Sequence, residues 1–149
     1  MRPGLWETTM RVVSVDAPSA PAEIQGTLQQ ALTAPPVVDR SCLSPAEAAD
    51  PGTAIRNRVI RDQASYTCST GESLFDGGRI RMTLNCRSTS GAPDLRQAMV
   101  GSFTAETMQA AVSGESATPA TEMMASIPVR VESTLIGRRV GDCPGAAAN

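Results

Sequence analysis

The sequence predicts a mainly β protein: a curved antiparallel sheet, either a meander or a partly open barrel, with one or two short helices packed on it. Three observations carry this expectation. Residues 79–86 alternate strictly, with Ile80, Met82, Leu84 and Cys86 on one side and Arg79, Arg81, Thr83 and Asn85 on the other. That is the pattern of an antiparallel strand with one dry face and one wet face. Residues 66–87 read as a hairpin turning at Asp76-Gly77-Gly78, and the two ends of the chain, residues 5–15 and 122–140, add long segments rich in β-branched residues.

The elements follow in order. Residues 5–15 form a strand whose Trp6, Thr8, Met10, Val12 and Ser14 share the face that meets the core. Residues 16–36 are bounded by prolines and hold a short amphipathic helix with Ile24, Leu28, Ala31 and Leu32 on one stripe and Pro21 at its first position. Residues 37–43 form a short strand carrying Cys42. Ser44, Pro45 and Glu47 then spell a capping box with proline at N1, opening a brief helix that Asp50-Pro51-Gly52 ends. Residues 55–62 read as a solvated edge leading to the hairpin, with Arg56, Arg58 and Arg61 guarding it against strand-to-strand aggregation. After the hairpin, a strand is expected from about Ala98, its partner over residues 108–115, and a last strand over 122–140 with a bulge or an edge at Pro128.

A chain of 149 residues suits one domain, residues 1–149, with a frayed tail from about residue 144. The formal charge of −2 gives no reason to expect nucleic acid as a partner, and no stretch reaches the roughly 20 apolar residues of a transmembrane segment. Histidine is absent, which removes Ser-His-Asp and Cys-His catalysis and the common zinc and iron ligand sets. All 13 basic residues are arginine, so no lysine is present for a Schiff base. No cofactor pattern remains, and the one metal reading left, all four cysteines on a single ion, is the minor rival to disulfides because such sites use cysteines paired close in sequence.

The four cysteines, Cys42, Cys68, Cys86 and Cys143, include no C-x-x-C pair. Their even number and wide spacing favour two structural disulfides in an oxidising compartment, hence a periplasmic or secreted protein. No signal peptide is visible at residue 1, and Met1 is expected to stand where a removed export signal ended. A three-residue loop at residues 76–78 sets Phe75 opposite Arg79 and Cys68 opposite Cys86. That register favours Cys68–Cys86 with Cys42–Cys143 over Cys42–Cys68 with Cys86–Cys143. A simple meander would nonetheless place Cys143 far from Cys42.

Four segments in order, P-G-L-W-E at residues 3–7, C-L-S-P-A-E-A at 42–48, the Cys68 to Cys86 spacing about a glycine turn, and I-G-R-R-V-G-D-C at 136–143, resemble the domain of unknown function 3617 family of bacterial proteins. The resemblance covers almost the whole chain. It implies a small exported protein and no known activity. The chain departs from the family's habit in its more helical segment at residues 16–36 and in its use of Arg for Lys.

Three functional readings follow. A non-catalytic binding module would hold a small apolar ligand or lipid on the dry face of the sheet, with Trp6, Met10, Met82, Leu84, Met99 and Phe103 forming an apolar pocket. Methionine suits adaptable pockets, although each of these side chains also serves simply as core. The alternative is an envelope protein-protein interaction or structural module that uses a sheet edge. An enzyme is the weakest reading, because Glu7, Asp62, Glu72, Asp76 and Asp142 are scattered and read as solvated or turn carboxylates.

Overall fold

The computed structural model describes residues 1–62, 64–118, 120 and 125–144. In chain order the elements are β1 (Gly4–Asp16), α1 (Ala22–Thr33), β2 (Val37–Leu43), α2 (Pro45–Ala49), α3 (Pro51–Asp62), β3 (Tyr66–Asp76), β4 (Arg79–Ser88), β5 (Leu95–Phe103), β6 (Thr107–Ala117) and β7 (Pro128–Gly141). All seven strands join one antiparallel sheet in the order β2-β1-β7-β6-β5-β4-β3. The sheet curls into a half-barrel. A meander runs from β3 to β7, and β7 then pairs with the first strand of the chain.

This closure resolves the cysteine problem. Leu5 of β1 pairs with Cys42 on one side and with Gly141 on the other. Cys42 and Cys143 therefore flank the same end of β1, their Cα atoms are 5.6 Å apart, and their disulfide ties β2 to the end of β7 across it. The expectation that Cys143 lies far away assumed that β2 pairs with β3. It does not, because α2 and α3 carry the chain from one edge of the half-barrel to the other.

Cys68 and Cys86 pair in register and are bonded, but the turn beside them differs from the expectation. Asp76 pairs with Arg79 and Phe75 with Ile80, not Arg79. The loop is the two residues Gly77 and Gly78, both at positive φ, 56° and 75°. Such a pair matches the right-handed twist of the flanking strands. A bulge sets Gly71 and Glu72 against the single residue Thr83, whose hydroxyl accepts the Glu72 amide at 2.8 Å. The bulge shifts the ladder by one residue and restores the Cys68–Cys86 pairing.

A second bulge corrects the reading of β1. Trp6 to Val12 keep the expected face, but the ladder with β7 skips at Val13, which transfers Ser14 to the opposite face. The third correction concerns residues 55–62, which are helix α3 and not a solvated edge. Asp50, which ends α2, also opens α3 by accepting the Thr53 amide at 3.1 Å. Ile55 and Val59, one helical turn apart, pack against the core. The β-branched run Ile55, Val59, Ile60 imitates a strand in sequence, while burial against the sheet selects a helix.

Smaller differences remain. Pro21 is the N-cap of α1, not its first residue, and α1 packs Ile24 and Leu28 onto Ile127 and Val129. The whole of Leu95–Phe103 is strand. Pro128 is the first residue of an interior strand, where its missing N–H breaks no ladder within the strand. Residues 122–124 of the expected last strand and 145–149 of the expected tail lie outside the described residues. The main core sits on the concave side, with Trp6, Ile80, Met82, Leu84 and Cys86 each no more than 3% exposed.

Candidate functional site

On the concave face the strands register into transverse rows. One runs Val37, Met10, Leu135, Ala110, Gly101, Ile80, and the next runs Ser133, Val112, Met99, Met82. Helix α3 packs at the β3–β4 side, where the concave side chains of β4 are buried. The β1–β2 side stays open. The result is a cleft of about 370 Å³ between α3 and β2. Met10, Leu135, Met108, Val112 and Met99 belong to its floor, Ile55 and Val59 to the helix wall, and Val37, Asp39 and Ser41 to the strand wall.

One arginine sets the position of the helix wall. Arg58 of α3 donates to the Ser41 hydroxyl and, at 2.6 Å, to the Cys42 carbonyl of β2, and it lies 3.6 Å from Glu47. Glu47 is itself held below the ordinary glutamate range, first by the Ser44 amide and hydroxyl that it accepts and then by Arg58. The capping box thus also supplies the counter-charge that orients the helix.

Four of the expected pocket residues, Met10, Met82, Leu84 and Met99, line the cleft. Trp6 and Phe103 do not. Trp6 is buried in the core and donates its indole N–H to the Arg2 carbonyl at 3.0 Å. Phe103 packs on Phe75, ring centroids 6.5 Å apart. The sequence pattern places residues 55–62 at a solvated edge and so gives no helix wall. The signal was present in the i, i+4 pair Ile55 and Val59 behind an Asp-Pro helix start.

The convex face carries a different arrangement. Glu7 lies between Arg40 of β2 and Arg138 of β7, in register with both. Arg40 donates to Oε2 at 2.7 and 2.9 Å, and Arg138 to Oε1 at 2.6 and 3.0 Å. The Glu7 side chain is only 10% exposed while both arginine side chains are 67% exposed, so the arginines themselves shield the carboxylate. Arg138 first and Arg40 second hold its pKa below the ordinary glutamate value. Glu7 is therefore not the solvated carboxylate expected, and with both oxygens occupied it is a structural anion. No group of three or more His, Cys, Asp or Glu side chains is placed to hold a metal among the described residues. No helix among them is long and apolar enough to cross a membrane.

The model of the family described as protein of unknown function (DUF3617) matches residues 1–143. The chain belongs to the DUF3617 family. Comparisons with curated proteins and with solved structures returned no match. In this DUF3617 chain, three of the four motif segments meet at one corner of the sheet. The first supplies Trp6 and Glu7, the second Cys42, Ser44 and Glu47, and the last Arg138, Arg139 and Cys143. Arg139 donates to the Pro3 carbonyl at 2.8 Å. The contacts of these residues fasten the corner, so the motif residues of this DUF3617 chain account for its folding and leave the cleft as the candidate site.

Proposed function

We propose that this chain is a non-catalytic exported protein, periplasmic in setting, that binds a small apolar molecule or a lipid chain in the concave cleft. The observation that carries the reading is the exposure of Met10 and Val37, 42% and 62%, directly paired at the open side of an apolar cleft. The core elsewhere on this face is closed, so apolar surface left open here is available to a ligand. The volume falls within the range of small-molecule sites, and methionine side chains adapt to irregular apolar shapes. Two disulfides suit an oxidising compartment.

Native mass spectrometry of protein exported to a periplasm and gently purified tests this reading. A reproducible extra mass, lost on organic extraction, is expected. The extracted protein should then enhance N-phenyl-1-naphthylamine fluorescence, and Met10→Arg should abolish the enhancement while leaving the melting curve intact. Extracted protein that takes up no probe would sink the proposal.

A second reading rests on the edges. The outer sides of β2 and β3 pair with no other strand among the described residues. An extended segment of an envelope protein adding to β3 would use this edge. Reproducible capture of a partner from periplasm, lost when a proline replaces Ser73, favours this reading. Its absence weighs against it.

A further inference from the structure

The cleft carries one charge that the fold does not use, and that charge is negative. Its two charged lining residues are Arg58 and Asp39. Arg58 is committed to Ser41, to the Cys42 carbonyl and to Glu47, and that last contact offsets its charge. Asp39 stands on the strand wall, opposite Thr8 in the ladder and one row from the open pair Met10 and Val37. Among the described residues its carboxylate takes part in no hydrogen bond and no ion pair. The neighbouring Arg40 projects to the other face and is held by Glu7.

We infer that, if the cleft is the binding site proposed above, it takes a single-tailed amphiphile whose polar end is cationic or a hydrogen-bond donor, with the tail over Met10, Leu135 and Met99 and the head at Asp39. An exposed carboxylate at the rim keeps its water in the empty protein. A donor head set beside it gains a charge-assisted hydrogen bond next to a low-dielectric wall, where the attraction exceeds that of an open surface pair. A carboxylate or phosphate head is repelled by Asp39 and finds the Arg58 guanidinium already taken. The cleft thus selects by the sign of the head group while the tail supplies the affinity.

The test uses the oxidised full chain after organic extraction, at pH 7 and low salt, with three probes of equal tail length: dodecylamine, 1-dodecanol and dodecanoate. Each displaces N-phenyl-1-naphthylamine in a fluorescence titration. Dodecylamine should bind about five- to tenfold more tightly than dodecanoate, on the scale of an exposed ion pair gained against one repelled, with dodecanol between them. The difference should shrink in 0.5 M salt. Asp39→Asn, an isosteric change at an exposed position, should bring the amine and the carboxylate within about twofold, while the alcohol, which loses only the charge assistance of one hydrogen bond, weakens less than the amine. Dodecanoate binding as tightly as dodecylamine, or a preference that survives Asp39→Asn, overturns the selectivity and leaves the cleft standing. Binding of none of the three overturns both.

Discussion

Arg138 grips Glu7, 131 residues away in sequence, through two hydrogen bonds of 2.6 and 3.0 Å across the β1–β7 ladder. This pair closes the two ends of the chain on one another, and Arg40 completes it from β2. Because the folded state holds the Glu7 pKa below its ordinary value of 4.5, its contribution is fully present above that value. It is lost as the pH falls through the lower folded pKa. Glu47 and Asp50 are depressed as well, chiefly by the Ser44 and Thr53 amides, and act in the same direction. Glu7→Gln should lower the thermal midpoint at pH 7, where two guanidiniums are left facing one neutral amide. It should also reduce the further drop on acidification. Melting curves from pH 7 to about pH 2.5 check this, and an acid response identical to that of the unmodified chain would remove Glu7 from the account.

The two disulfides close loops of very different length, with sequence separations of 101 and 18 residues. On chain entropy, losing Cys42–Cys143 should cost about 4–5 kcal/mol and losing Cys68–Cys86 about 3 kcal/mol. Urea unfolding of the paired Cys→Ala variants measures both. A smaller loss at Cys42–Cys143 would mean that the β1–β7 ladder holds that corner without the bond.

Gly101 of β5 pairs with Ala110 of β6. A Cβ there would overlap the Gln109 carbonyl and come within 2.6 Å of the Ala110 Cα, so backbone must move. Gly101→Ala should destabilise by about 1–3 kcal/mol as an overpacked core position. Gly114, one strand away, has open space at the same point, and Gly114→Ala should stay within about 0.5 kcal/mol. Equal effects in denaturant titrations would contradict the register of the two strands.

Arg58→Met keeps the length of the side chain and removes the donors that tie α3 to β2. A loss of about 1–3 kcal/mol is expected, since the bonds come from a charged group. Amide hydrogen exchange should accelerate in α3 before it changes in β5 or β6. Unaltered protection of α3 would show that Ile55 and Val59 alone hold the helix wall.

Local chemistry was legible in the chain, and long-range pairing was not. The alternation at residues 79–86 announced the buried face of β4, and Ser44, Pro45 and Glu47 announced the capping box, because both depend on residues close in sequence. The Cys68–Cys86 pairing follows from a three-residue loop in the sequence pattern, but the structure reaches it through a two-residue loop and a bulge. The two-residue turn and the bulge at Gly71 and Glu72 differ from it by compensating single steps. Four cleft residues were visible as apolar positions on strands. Trp6 and Phe103 were misplaced because period-two alternation assigns a face but not a position along it.

The sequence by itself determined the antiparallel class, the place of the glycine turn, the capping box that starts α2 and the alternating faces of β4, all of which follow from backbone geometry over a few residues. Only the tertiary structure decided that β1 pairs with β7, that Glu7 lies between two arginines, that Cys143 reaches Cys42, and that residues 51–62 form a helix. Each of these depends on which distant surfaces bury one another. The apolar stripe of α3 gains its burial only against a sheet already curled beneath it.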